Sequence, residues 1–194
     1  MNRDQIHEIL RAADEFAREA GEITMRYFGG IVEHDAKTDG SPVTRADRES
    51  EERIRARIEA RWPDHGILGE EFGVTREDAE VRWILDPIDG TRSFMRGVPL
   101  YGVLIGVECA GEPIVGVAHF PALGETVAAG KGFGAYLNDN PCAVSDVDSL
   151  ERSLVLTTDA ELLLSRPQGP GFRSLMQGCD LTRTWSDCYG QILV

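Results

Sequence analysis

The sequence has no stretch long and apolar enough to cross a membrane. Its most apolar run, Val98 to Val107, holds two glycines. It is also much shorter than the ~20 residues that a transmembrane helix requires. The first twenty residues carry eight charged side chains, which is untypical of a secretory signal. We therefore expect no membrane partner and a cytoplasmic protein.

Cysteines and basic residues are also scarce. The four cysteines lack both the paired spacing of a zinc site and the density of a disulfide scaffold, so we expect reduced thiols. With 20 Lys and Arg against 33 Asp and Glu, the net charge is −13. Because few basic groups are free to neutralise a run of phosphates, we expect no nucleic-acid partner. If such an acidic protein binds a phosphate group, it would need metal cations between its carboxylates and the phosphate.

What is present is a globular composition, with 42% hydrophobic and 27% charged residues among 194. Apolar residues at helical spacing predict an amphipathic helix from Asp4 to Phe28 and a second helix that begins near Thr44. Strand-like runs separated by turns follow between Arg82 and Leu137. A later change of composition predicts a first, α+β domain at 1–145 and the start of an α/β domain at 146–194. The acidic motifs described below, which predict a metal and phosphate site, lie in the first of these domains.

Three later segments have plainer interpretations. The glycines from Gly130 to Gly134 follow a GxGxG pattern before a strand-like run, which predicts a hairpin and not a dinucleotide site. Two prolines and two glycines predict a loop from Ser165 to Gly171. Ser186 could cap a helix that runs to Val194.

The strongest chemical pattern lies between Trp83 and Thr91. An apolar strand ends at Asp86, and Asp89 follows three positions later, so two carboxylates can face one point. Gly90 allows the backbone to approach a ligand closely. Thr91 and its neighbours could begin a helix whose free N–H groups attract phosphate. Two carboxylates beside an anion need cations, and oxygen ligands favour Mg²⁺, Mn²⁺ or Ca²⁺ over zinc. The alternative is an ordinary turn with a capping Asp.

Two further acidic positions could serve the same site. Glu70 follows the short apolar run Gly66 to Gly69 and could supply a third metal carboxylate, although adjacent acids are commonly a solvated surface. Asp47 completes a capping-box pattern with Thr44. In a functional role, Asp47 would accept a hydrogen bond from the Thr91 hydroxyl, and the pair would orient an attacking water. The two roles of Asp47 are compatible.

Four blocks of residues match a known family in order and spacing. They are residues 41–47, Leu68-Gly69-Glu70-Glu71, Trp83 to Thr91, and residues 130–135. On these blocks the chain resembles the inositol monophosphatase family, the lithium-sensitive, Mg²⁺-dependent phosphatases, over essentially its whole length. The resemblance implies an α/β fold, a layered α-β-α-β-α sandwich. It also implies a small phosphorylated substrate and a homodimer.

The resemblance further implies roles for individual residues. Metal ions, Mg²⁺ with Mn²⁺ as the alternative, would be held by Glu70, Asp86, the Ile88 carbonyl and Asp89. Thr91 and Asp47 would activate the water, with Glu70 also counted as catalytic. The backbone at Gly90 and Thr91 would bind phosphate, and Lys37 would approach the metals.

The segment from Arg183 to Gly190 indicates a branch of that family. Inositol phosphatases commonly carry small residues where this chain has Ser186-Asp187-Cys188, and the string Trp-x-Asp-Cys-Tyr-Gly resembles the histidinol-phosphate phosphatases. A carboxylate at Asp187 suits a cationic amine or imidazolium better than a neutral polyol, and Arg183 is a second substrate-binding candidate. The alternative for Asp187 is an acid favoured by a helix N-terminus.

We therefore expect hydrolysis of histidinol phosphate in histidine biosynthesis, with inositol 1-phosphate or another small phosphate monoester as the alternative. The family places one more metal Asp in a Trp-Asp-x-Ala-Ala segment, which lies beyond the position of Asp187. This sequence stops before it, so we expect an incomplete C-terminal domain. An inactive fragment that binds metal or a partner is the second hypothesis.

Overall fold

The computed structural model describes residues 1–30, 34–36, 42–185 and 187–194. The sequence predictions at Lys37, Ser41 and Ser186 therefore lie outside the described residues. The described chain forms two compact units, Met1–Cys142 and Ala143–Val194. The domain roles predicted for 1–145 and 146–194 stay predictions.

Two long helices cover one face of the first unit. Helix α1 (Arg3–Met25) begins at an Asn2 capping box and buries an apolar stripe that includes Phe16. It ends before the predicted Phe28, because the N–H groups that follow Met25 close turns onto carbonyls of the last helical turn. Helix α2 (Arg45–Arg61) begins, as predicted, after a capping box made by Thr44 and Asp47. Residue Trp62 ends it.

Short strands β1 (His34–Ala36) and β2 (Pro42–Thr44) pair with each other. An eight-stranded mixed sheet makes up most of the unit. In chain order its strands are β3 (Gly66–Gly69), β4 (Gly73–Thr75), β5 (Val81–Asp89), β6 (Gly102–Cys109), β7 (Glu112–Phe120), β8 (Glu125–Gly130), β9 (Gly134–Leu137) and β10 (Asn140–Cys142). In space they follow the order β10-β9-β8-β7-β6-β5-β3-β4. Strands β3 and β5 run parallel, and the other neighbours run antiparallel.

The main core lies between the two helices and the sheet. Side chains alternate along a strand, so Val81, Trp83 and Leu85 of β5 point together into this core, where Trp83 packs against Phe16 of α1. The hairpin strands predicted after Arg82 are present as β6 to β9. The three-residue strand β10 was not predicted, because its side chains are exposed and show no apolar alternation.

A second, smaller core supports the end of β5. It contains Ala46, Ile88, Phe94 and Tyr101, all essentially buried. Ala46 precedes Asp47, Ile88 lies between the two aspartates of β5, and Phe94 ends the one-turn helix α3 (Thr91–Phe94). This apolar cluster therefore fixes the backbone from which the predicted site residues project.

The second unit pairs β11 (Leu154–Leu156) with β12 (Leu181–Arg183) in parallel. Its helices are α4 (Ala160–Ser165), α5 (Gly169–Gly178) and α6 (Asp187–Ile192), and a 3₁₀ turn covers Leu150–Arg152. The loop predicted from Ser165 to Gly171 is wrong at both ends. Helix α5 begins within it because proline is tolerated in the first helical turn.

No helix in the described part of the chain combines the length and apolar character needed to span a bilayer.

Candidate active site

An irregularity in β5 places Asp86 and Asp89 on one face of the sheet. Residues three apart on a regular strand point to opposite faces. Here Asp86 pairs with Leu104 and Asp89 with Gly102, so three steps on β5 oppose two on β6. The extra residue of this bulge returns Asp89 to the face of Asp86. The predicted convergence of the two carboxylates thus has a backbone cause.

Parallel pairing brings Glu70 to the same end of the sheet. Strand β3 pairs with β5 in the register Gly69 to Leu85, and the Glu70 N–H donates to the Leu85 carbonyl at 3.2 Å. Glu70 and Asp86, the next residues of the two strands, meet through a hydrogen bond between their carboxyl groups. The two acidic groups therefore lie close together at this edge of the sheet.

The electrostatics of Asp86 reflect this crowding. Burial, above all, raises the pKa of its carboxyl to about 9, and the nearby carboxylates of Glu70 and Asp89 add to the effect. The Ile88 N–H, which donates to Asp86 Oδ1 at 3.2 Å, opposes it. A divalent cation between these carboxylates could relieve the repulsion, and carboxylate and carbonyl oxygens are the donors that Mg²⁺ prefers.

Among the residues that the structure describes, no three His, Cys, Asp or Glu side chains form a preformed metal site. The predicted ligands Glu70, Asp86 and Asp89 carry the oxygen donors that a hard cation prefers. Glu70 and Asp89 both interact with Asp86. Their side chains must turn toward a common point before all three can share one ion. The predicted ligand set therefore stays a prediction.

The predicted phosphate-binding turn follows directly. Gly90 has φ +85°, a left-handed conformation that suits glycine, and it stands at the N-cap of α3 without a capping side chain. Its carbonyl accepts from the Ser93 and Phe94 N–H groups at 2.8 and 3.0 Å. The first N–H groups of such a turn are suited to an anion. The structure thus supplies the backbone geometry expected at Gly90 and Thr91.

The Thr91 hydroxyl has a different partner from the one predicted. It donates to the Ile88 carbonyl at 3.0 Å. A hydroxyl has a single proton to donate, so in this structure that proton goes to Ile88, and the pairing of Thr91 with Asp47 stays a prediction. The Ile88 carbonyl that the hydroxyl binds is itself a predicted metal ligand.

Asp47 instead holds the start of α2. The Thr44 N–H and hydroxyl donate to its Oδ2 at 2.8 and 2.5 Å. Asp47 is 1% exposed. Burial raises its pKa to about 6, with a smaller contribution from Glu71, while the two Thr44 bonds pull the pKa down. Its capping-box role is therefore present, and its catalytic role stays a prediction.

Sequence reasoning missed one buried ion pair beside the site. Glu51 and Arg55 of α2 contact each other at 2.7 Å, and the Glu51 side chain is fully buried. Glu51 occupies the same helix face as Ile54 and Ile58. A carboxylate in line with buried isoleucines was the available indication that Glu51 has a specific partner.

The remaining predicted residues lie in the second unit. Asp187 begins α6 and, with Thr157 and Trp185, lines a cavity of about 200 Å³. Arg183 is exposed, and its Nη1 donates to the neighbouring Thr182 carbonyl at 2.9 Å. Asp187 and Trp185 thus line the same cavity, whereas the Arg183 side chain folds back on its own strand.

A model of the inositol monophosphatase family matches residues 5–169. The chain belongs to the inositol monophosphatase family. This confirms the resemblance found in the sequence and places the chain among phosphatases, a class of hydrolases.

Relatives of this inositol monophosphatase family member include two named histidinol-phosphatases. The protein from Chlorobaculum parvum is 46% identical over 186 residues, which cover 95% of this chain and 72% of the relative. The protein from Mycobacterium tuberculosis is 42% identical over 131 residues, 67% of this chain and 50% of the relative. The chain thus spans between half and about three quarters of the length of these two relatives.

Solved structures of the family share the fold. An inositol monophosphatase from Zymomonas mobilis superimposes with a TM-score of 0.83 at 33% identity, covering 96% of this chain and 72% of that one. The likeness confirms the predicted α/β class and its inositol monophosphatase type.

Proposed function

We propose that this chain carries the metal- and phosphate-binding part of a Mg²⁺-dependent phosphomonoesterase that acts on histidinol phosphate. The observation that carries the proposal is the bulge in β5. It sets Asp86 and Asp89 on one face, beside Glu70 and ahead of the uncapped turn at Gly90. Mn²⁺ is the alternative ion.

In this proposal the acidic residues and the turn divide the work. Glu70, Asp86, Asp89 and the Ile88 carbonyl hold the cations. The chemistry supplied by the bound ions is neutralisation of phosphate charge and a lower pKa for water. The backbone N–H groups at Gly90 and Thr91 bind phosphate oxygens and stabilise the charge that develops during transfer.

Thr91 and Asp47 would orient the attacking water. For this the Thr91 hydroxyl must exchange its bond to the Ile88 carbonyl for one that includes Asp47 or the water. Asp47 is suited to accept a proton near neutral pH because burial raises its pKa to about 6. No covalent phosphoenzyme is needed.

Asp187 would select the substrate. Its carboxylate suits a cationic amine or imidazolium by charge, and Trp185, which lines the same cavity, could add cation–π attraction. Arg183 is a further candidate for substrate or phosphate binding. The two histidinol-phosphatase relatives, at 46% and 42% identity, support the same substrate. A homodimer, a cytoplasmic location, and the absence of nucleic-acid and membrane partners belong to the same proposal.

Inositol 1-phosphate is the second candidate substrate. It is supported by the likeness to the Zymomonas mobilis inositol monophosphatase over 96% of this chain.

Phosphate release from a panel of monoesters, with and without Mg²⁺, tests the proposal. We expect Mg²⁺-dependent release from histidinol phosphate that exceeds release from inositol 1-phosphate. Faster release from inositol 1-phosphate would move the chain to the other branch. Metal binding without release from any ester would favour the hypothesis of an inactive binding fragment.

A further inference from the structure

The fully buried carboxylate of Glu51 accepts hydrogen bonds from the backbone just after Glu70. Glu51 Oε2 accepts the Glu71 N–H at 2.7 Å, and Glu51 Oε1 accepts the Phe72 N–H at 3.2 Å. The Glu51 side chain has no exposed surface. On the other side of the turn, the Glu70 N–H is bound to the Leu85 carbonyl. The backbone of Glu70 is thus held from both directions.

Arg55 completes the clamp from the same helix. Its Nε donates to Glu51 Oε1 at 2.7 Å, its Nη1 donates to the Thr75 hydroxyl at 2.7 Å, and its Nη2 donates to the Gly73 carbonyl. One guanidinium therefore joins the carboxylate to strand β4. The turn between β3 and β4, which carries Glu70, is tied to α2 through two side chains.

The fit around this carboxylate is close. A Cβ built on Gly69 would lie 1.8 Å from Glu51 Oε1, a distance that no real contact allows. Strand β3 can approach Glu51 only because position 69 has no side chain. The approach places the carboxylate oxygens within reach of the N–H groups that follow.

A buried ion pair is a poor source of stability, because removing two charges from water costs as much free energy as their attraction returns. Here both charges instead bind backbone groups on either side of the turn, at fixed directions. Such an arrangement sets the position of a segment and gives it little freedom to move.

We propose that Glu51, oriented by Arg55, is a positioning residue for Glu70 and sets the affinity of the site for its divalent cation. The inference rests on the proposed function, since it takes Glu70 as a metal ligand. Second-layer partners of metal ligands change metal affinity by about 10- to 100-fold when they are replaced.

The test is a Mn²⁺ titration followed by the electron paramagnetic resonance signal of the free ion, at neutral pH and with the full chain. Four variants are compared with the wild type: Glu51→Gln, Glu70→Gln, the double variant, and Glu52→Gln. Glutamine at position 51 keeps the volume but turns an amide N–H₂ toward an N–H donor. Glu52 is the exposed neighbour on α2 and controls for the loss of one charge.

We expect Glu51→Gln to weaken Mn²⁺ binding about tenfold and Glu52→Gln to leave it unchanged. If Glu51 acts through Glu70, the double variant binds as weakly as Glu70→Gln alone, since the effects of coupled residues do not add. Additive losses would overturn the inference, because they would show a general effect of the substitution on the fold.

Failure of the inference and failure of the proposed function give different results. If Glu70→Gln weakens binding while Glu51→Gln does not, the positioning role is wrong and the metal assignment survives. If neither variant changes Mn²⁺ affinity, the assignment of Glu70 as a ligand fails, and the inference fails with it.

Arg55→Lys keeps the test decisive if Glu51→Gln does not fold, as judged by circular dichroism. Lysine retains the charge but cannot bind Glu51, Thr75 and Gly73 at fixed directions. We expect an intermediate loss of Mn²⁺ affinity. Wild-type affinity in a folded Arg55→Lys protein would contradict the proposal.

Discussion

Two largely buried acidic side chains of the first unit have contrasting neighbours: hydrogen-bond donors surround one, and other acids surround the second. Glu51 receives the N–H groups of Glu71 and Phe72 and the guanidinium of Arg55. Asp86 receives one backbone N–H and otherwise faces other acids, chiefly Glu70. The first carboxylate is satisfied by the protein itself, whereas the second is satisfied only when a proton or a cation joins it. An acid that faces other acids, as Asp86 does, is therefore the better candidate for binding a cation.

The largest effect is expected from Asp86→Asn. The change removes a proposed metal ligand and also the repulsion with Glu70, so phosphate release should fall by about a hundredfold or more while the fold is retained. Phosphate release and circular dichroism measure the two properties. Undiminished turnover would refute the metal assignment and, with it, the contrast between Asp86 and Glu51.

Asp47→Asn tests an acid between these extremes, buried but bonded to Thr44. Its folded pKa of about 6 is raised above the ordinary value of 3.8. The free energy that this group contributes to folding is therefore present below about pH 4 and is lost as pH rises through about 6, by about 3 kcal/mol in total.

Urea unfolding of the wild type and of Asp47→Asn between pH 4 and pH 7 measures this contribution. The wild type should lose stability relative to the variant as pH rises, since asparagine can still accept the Thr44 N–H but does not ionise. Parallel stability curves would show that Asp47 titrates in the folded protein as it does in the unfolded chain.

Gly90→Ala tests the left-handed backbone conformation of the turn that follows Asp86 and Asp89. At φ +85°, a β-carbon should cost about 1–2 kcal/mol of unfolding free energy. Gly116→Ala is a matched control, because Gly116 lies on β7 and a Cβ there meets open space. Equal thermal midpoints for the two variants would show that alanine fits the left-handed conformation at position 90 without strain.

The smallest effect is expected at Asp187. Alanine there should raise the KM for a cationic substrate about fivefold, the size of a partly exposed ion pair, and leave the KM for inositol 1-phosphate almost unchanged. Steady-state kinetics on both esters decide the matter. Equal changes in both constants would remove the recognition role.

Much of the fold was predictable because its indications are local. The capping box of Thr44 and Asp47, the apolar stripe of α1 and the apolar strand that leads to Asp86 are all indicated by neighbouring residues. The predicted end of that strand at Asp86 was wrong, since β5 continues to Asp89. The bulge that turns Asp89 to the face of Asp86 was not predictable, because it exists only in the register against Leu104 and Gly102 of another strand.

For the same reason, two features of the site could not be derived from the sequence. The partner of the Thr91 hydroxyl depends on how the turn at Ile88 closes, which spacing does not determine. The role of Glu51 depends on Gly69 and on a turn about 20 residues further along the chain. The position of Glu51 in the apolar stripe of α2 indicated burial, but only the folded structure shows which groups it binds.

The close approach at Gly69 has a consequence for anyone who wishes to redesign this protein. A methyl group at position 69 and the full length of glutamate at position 51 exclude each other. The two positions are therefore coupled in one direction: a side chain at position 69 requires a shorter one at position 51, whereas position 51 can be shortened while Gly69 stays in place. A library that introduces alanine at position 69 therefore has to vary position 51 with it, for example to a shorter acid.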